Sequence, residues 1–151
     1  MRNSGMRMKV IVAGAAMALL AAGACSSDGD GDVAVTLEEF AVSAPASAAA
    51  GSVTFSVTND GPEDVHEFVI IRTDLAATEL PTDDDGVVLE DGEGMTVVDE
   101  IEDIAVDDTQ TLTVDLEAGS YVLICNILQT EPDGSLEAHY AVGMRTGFTV
   151  E

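Results

Sequence analysis

Apolar and polar residues alternate with a period of two along several short stretches of this chain, and nothing else in it constrains the fold more. Val53, Phe55 and Val57 are interleaved with Thr54, Ser56 and Thr58; Leu112, Val114 and Leu116 are interleaved with Thr113 and Asp115. Successive side chains of a strand point to opposite faces, so this pattern describes strands with one face on a core and the other in water. Residues 33–42, 65–71, 121–127 and 146–151 also have strand character. Turn-forming residues separate the runs, most clearly Asn59-Asp60-Gly61-Pro62, while Glu117-Ala118-Gly119-Ser120 predicts a hairpin into Tyr121. No convincing long amphipathic helix is present. The expected architecture is all-β, a Greek-key β-sandwich of about six to eight strands.

Domain organisation follows from composition along the chain. Arg2, Arg7 and Lys9 precede an apolar run from Val10 to Ala22, too short for an ordinary transmembrane helix, so residues 1–24 read as a signal peptide. Ala22-Gly23-Ala24-Cys25 resembles a bacterial lipobox, which would make Cys25 the lipidated first residue; Ala22-x-Ala24 is equally an ordinary secretory cleavage signal. Residues 25–32, Cys25 followed by SSDGDGD, read as the lipidated end and a flexible tether. A single domain is expected over residues 33–151. The stretch from Asp74 to Gln110 is the hardest to read: it has room for one helix or two short strands. Its acidic clusters, Asp83-Asp84-Asp85 among them, lack the ordered spacing of a calcium loop and read as solvated surface. Met95 reads there as an apolar anchor.

Without residues 1–24 the chain keeps Arg72 and Arg145 against all 29 acidic residues, a formal charge of −27. Such a field repels nucleic acid and anionic lipid and favours encounter with basic partners, although it also serves solubility alone. With Cys25 taken by an anchor, Cys125 is the one remaining thiol and no internal disulfide can form. An unpaired thiol in an oxidising exterior is a liability unless something occupies it. Either a metal does, or Cys125 is an inert, buried small hydrophobe.

The stretch from Tyr121 to Met144, YVLICNILQTEPDGSLEAHYAVGM, brings a thiol, an imidazole and a thioether close to one chain end. A second imidazole stands upstream in Asp64-Val65-His66-Glu67-Phe68, where alternation puts His66, Phe68 and Ile70 on one face and Glu67 on the other. Tyr121, Leu123 and Cys125 likewise share a face. One thiolate, two imidazoles and a weak thioether form a ligand set that suits copper in an electron-transfer site.

A His in a strand-like HEFVI segment, followed by Cys, His and Met near the C-terminus and by HYAVGM running into RTGFTV, resembles the cupredoxin (blue, type 1 copper) family over roughly residues 33–151. The resemblance implies one type 1 copper held by His66, Cys125 and His139, with Met144 as axial ligand. Arg145, Ala141, Val142 and Tyr140 would flank the electron exit at His139. Two features depart from the usual pattern: thirteen residues separate Cys125 from His139, and Glu67 stands where many members carry Asn. The function so implied is single-electron transfer outside the cytoplasmic membrane by a lipid-anchored monomer, with no catalytic activity, serving redox partners of basic character such as a c-type cytochrome. A copper carrier or storage protein and a metal-free binding module on the same scaffold are the competing readings.

Overall fold

The computed structural model describes residues 31–151. The leader expected over residues 1–24, the lipidated Cys25 and the tether as far as residue 30 lie outside the described residues. The strands in chain order are β1 (Gly31–Glu38), β2 (Ala41–Ser43), β3 (Ser47–Ala48), β4 (Gly51–Asn59), β5 (His66–Thr73), β6 (Met95–Ile104), β7 (Thr109–Leu116), β8 (Gly119–Ile124), β9 (Leu128–Thr130), β10 (Leu136–Ala138) and β11 (Arg145–Val150). A single turn of helix, α1 (His139–Val142), lies between the last two. Among the described residues no helix is long and apolar enough to cross a membrane.

Two sheets pack face to face, one in the order β2-β1-β4-β7 and the other in the order β3-β11-β8-β5-β6, and β9 and β10 form a separate hairpin. Within the first sheet β1 and β4 are parallel, with Val33 opposite Phe55, while β4 and β7 are antiparallel, with Phe55 opposite Leu112. The alternation read from the sequence is the alternation of burial: Val53, Phe55 and Val57 are inaccessible to solvent while the residues between them are not. They meet Phe68, Ile70, Leu123 and Phe148 from the facing sheet, and the Phe55 ring lies 5.3 Å from that of Phe68 and 5.7 Å from that of Phe148. Burying such a side chain contributes about 1.5–3 kcal/mol.

The hairpin expected between Leu116 and Tyr121 does not form. Its strands belong to different sheets: β7 pairs with β4, and β8 lies between β11 and β5. A turn signal fixes only a change of direction. Here the long ladders of β4 with β7 and of β8 with β11 decide the pairing, and the link through Glu117 and Ala118 carries the chain from one sheet to the other.

Of the two options for the acidic stretch from Asp74 to Gln110 the structure takes the strands, with all of β6 and the start of β7 lying there. The stretch contains no helix; residues 74–94 are irregular, and β6 and β7 follow. The irregular segment covers the outer face of β5 and β8. There Val69, Ile71, Val122 and Ile124 are buried with Leu80, Val88 and Tyr140 in a second apolar cluster, against which Met95 packs as the anchor expected of it. β5 is therefore buried on both faces.

Candidate metal centre

The β-ladders alone bring three of the four singled-out residues to one end of one sheet. β5 and β8 are antiparallel with Val69 opposite Ile124, and β8 and β11 are antiparallel with Ile124 opposite Arg145. His66 opens β5, Cys125 follows the end of β8 and Met144 precedes β11, so the register gathers them at the same edge. The peptide nitrogen of Cys125 donates to the Met144 carbonyl at 3.1 Å, and that of Glu67 donates to Cys125 Sγ at 3.4 Å.

His139 arrives by a different device. The thirteen residues after Cys125 fold on themselves as the β9–β10 hairpin, with Leu128 opposite Ala138. This closes most of the loop length and leaves His139 beside the start of its own loop, its peptide nitrogen donating to the Ile127 carbonyl at 2.9 Å. Gly143 (φ 143°) then turns the chain so that Met144 N reaches the His139 carbonyl at 2.9 Å. A Cβ on Gly143 would lie 2.8 Å from the Phe40 carbonyl oxygen, a close approach only glycine permits.

The donor atoms form a small triangle. His66 Nδ1 and His139 Nδ1 are 3.2 Å apart, and Cys125 Sγ lies 3.4 Å from His139 Nδ1 and 3.9 Å from His66 Nδ1. The point equidistant from all three is about 2 Å from each, the distance at which first-row metals take imidazole nitrogen and slightly inside that for thiolate sulfur. All three side chains are inaccessible to solvent, as is Met144, which lies in the same buried cluster as Cys125. Both imidazoles converge through Nδ1 and leave Nε2 buried without a hydrogen-bond partner. The triangle and the soft donor set fit a single copper ion.

Burial sets the protonation states of the three donors. Burial pushes the Cys125 thiol up to about 12, so it holds its proton until a metal displaces it. Burial also lowers both histidines below the ordinary imidazole value, against the opposing pull of Glu39 and Asp64; for His139 the neighbouring His66 lowers it further. Neutral imidazoles present lone pairs, which is what a metal requires.

Several residues support the triangle through contacts that the sequence did not signal. Asn59 is fully buried, donating through Nδ2 to the Asp64 carbonyl at 2.8 Å and the Ile104 carbonyl at 2.9 Å and accepting from Gly61 N at 2.9 Å, so it fixes the turn that delivers His66. Asn126, next to Cys125, exchanges two hydrogen bonds with the backbone of Val88, at 2.7 and 3.1 Å. Glu67 points away from the triangle, as its alternation implied, and accepts from Asn126 N at 2.8 Å; burial raises its carboxyl to about 7. Tyr140 does not line a surface patch beside His139. It is buried in the outer cluster, where its hydroxyl donates to the Ala77 carbonyl at 2.9 Å and accepts from Leu80 N at 3.2 Å. Ala141 and Val142 are exposed as expected, while Arg145 stacks over the Tyr140 ring and donates to the Tyr140 and Ala141 carbonyls. The edge of Phe40, 5.1 Å from the His139 ring, helps to cover that ligand.

No protein-family model and no curated protein matches the sequence. Solved structures do match. Auracyanin from the photosynthetic bacterium Roseiflexus castenholzii superposes with a TM-score of 0.54 at 19% identity, over 80% of this chain and 96% of that one. Rusticyanin from Thiobacillus ferrooxidans superposes with a TM-score of 0.53 at 17% identity, over 82% and 79% of the two chains. An azurin from Methylomonas sp. strain J gives 0.51 at 14% identity, over 82% and 99%. These likenesses concern architecture, and they agree with the sheets described above: the chain has the all-β sandwich of the cupredoxin fold.

Proposed function

We propose that this protein is a type 1 copper electron carrier, with His66, Cys125 and His139 as strong ligands and Met144 as the weak axial one. The observation that carries the reading is the preformed triangle of two Nδ1 atoms and one sulfur, buried and braced by backbone hydrogen bonds. When bound, copper supplies a one-electron couple. The protein holds its donors at fixed positions in both oxidation states, lowers the cost of the transfer by keeping water out, and surrounds the sulfur with apolar packing that tunes the potential. A carrier or storage protein uses similar donors but needs an exchangeable site, and complete burial of all three opposes exchange. Auracyanin A from the green thermophilic photosynthetic bacterium Chloroflexus aurantiacus, which has a similar fold, is a "blue" copper protein, which is consistent with this reading.

The acidic surface is proposed to recruit basic redox partners, such as a c-type cytochrome, with the chain held outside the membrane by a lipid on Cys25. Electrons are proposed to leave through His139, beside exposed Ala141 and Val142. Redox cycling of the copper-loaded domain tests the assignment. The expected result is an intense thiolate-to-copper band that bleaches on reduction and returns in full on reoxidation, with electron exchange to a basic partner slowing steeply as salt rises. Release of the metal on reduction would support the carrier reading instead.

A further inference from the structure

Resting on the copper reading of the His66, Cys125 and His139 cluster, we propose that Glu39 is the positioning residue for His66. Its carboxylate accepts a hydrogen bond from the imidazole Nε2–H, fixes the ring with Nδ1 toward the other donors, and biases the site toward the oxidised ion by placing an anion one imidazole away.

Two buried polar atoms without partners carry the inference: His66 Nε2 and Glu39 Oε2. They belong to groups already in contact, since Glu39 Oε1 lies 3.7 Å from His66 Nε2, in a pair whose side chains are 11% and 0% exposed. That is ion-pair range, slightly too long for a hydrogen bond. Leaving both atoms unpaired is costly, and a hydrogen bond from His66 Nε2–H to Oε2 would relieve both at once. Once Nδ1 is a ligand, the neutral ring carries its proton on Nε2, so donor and acceptor roles are fixed.

The turn before β5 is built around this carboxylate. Glu39 Oε1 accepts from Asp64 N at 2.7 Å and Glu63 N at 3.3 Å, which locks the side chain and leaves Oε2 free. Gly61 makes the room: a Cβ there would lie 2.5 Å from Oε1 and 2.6 Å from Oε2. His139 Nε2 is also unpartnered, but its described ring neighbours are Phe40 and His66, so the two imidazoles are held by different chemistry. A residue that only capped the turn would leave the redox balance untouched, and that difference makes the role testable.

The decisive experiment is redox titration of the copper-loaded domain as wild type, Glu39→Gln and Glu137→Gln. Glutamine keeps the shape and an oxygen for the turn amides but removes the charge. Glu137 lines the same acidic groove as Glu39 and has no contact with His66, so its variant measures the general field. The expected result is a shift of the Cu(II)/Cu(I) equilibrium toward Cu(I) by roughly tenfold, about 59 mV for one electron, in Glu39→Gln and a much smaller shift in Glu137→Gln. Equal shifts, or none, would overturn the proposal. If Glu39→Gln does not fold, nitrogen and proton NMR of the Cu(I) wild type decides: a slowly exchanging Nε2 proton on His66 coupled to the Glu39 carboxylate supports it, and a rapidly exchanging one overturns it. A wild type that takes no copper overturns both readings; copper binding with an unchanged Glu39→Gln potential overturns this one alone.

Discussion

The molecule has two apolar cores, one between its sheets and one outside them, and they are built by different means. The inner core comes from period-two strands facing one another, Val53, Phe55 and Val57 against Phe68, Ile70 and Leu123. The outer core lies under irregular chain, where Leu80 and Val88 close over Val69, Ile71, Val122 and Ile124. The inner core sets the fold. The outer one reaches the site: Asn126, the residue after Cys125, bonds to the backbone of Val88, and Tyr140, the residue after His139, bonds to that of Ala77 and Leu80. Segment 74–94 is thus a brace across both ligand-bearing loops, although its own residues supply no ligand.

Substitutions in the two cores should separate these roles. Phe55→Ala, which removes the ring touching Phe68 and Phe148, is expected to cost about 3–5 kcal/mol in chemical denaturation and to destabilise the whole domain. Tyr140→Phe is expected to cost less, about 1–2 kcal/mol for the lost hydroxyl bonds. Its effect should be local: faster amide exchange in 74–94 and weaker copper binding, with the inner strands still protected. Global unfolding kinetics that track Tyr140→Phe as closely as Phe55→Ala would dissolve the distinction between the cores.

A smaller effect sharpens the same comparison through pH. Glu67 sits at the outer face with its carboxyl raised to about 7, so the folded state binds its proton more tightly than the unfolded chain does. The stability this gives is fully present below the ordinary carboxylate value and is lost as pH rises through 7. Glu67→Gln should therefore stabilise the metal-free domain at pH 8, by on the order of 1–2 kcal/mol once solvent screening is allowed for, and do nothing comparable at pH 4.5. The histidines run the other way. Burial depresses both, so the stability they contribute is present above about pH 6.5 and falls away in acid. Thermal melts of wild type and Glu67→Gln at both pH values check the two signs together.

What was legible in the sequence follows the same division. Strands with one wet face announce themselves, and β4 was readable residue by residue. β5 was readable as a strand but not as one buried on both faces, because its cover comes from a segment with no periodicity of its own. His66, Cys125, His139 and Met144 stood out because so few soft donors occur in the chain, and the ladders of β5, β8 and β11 bring three of them to one edge. The hairpin error arose where a local turn signal competed with long-range pairing. Glu39, Asn126 and Tyr140 act on backbone atoms or side chains 24 to 63 positions away, and no spacing rule encodes such contacts. Asn59 was visible as turn chemistry, yet its hold on Ile104 was not.

Titration of the metal-free domain with Cu(II), followed by visible absorption and melting temperature, in wild type and Cys125→Ser, tests the central claim most directly. The account predicts an intense band in the wild type that saturates at one copper per chain, with a rise in melting temperature because the ion binds the folded state. Cys125→Ser should keep the circular dichroism of the metal-free wild type and lose the band and most of the thermal increment. A colourless wild-type complex, or a copper-independent collapse of Cys125→Ser, would make Cys125 a packing residue and contradict the account.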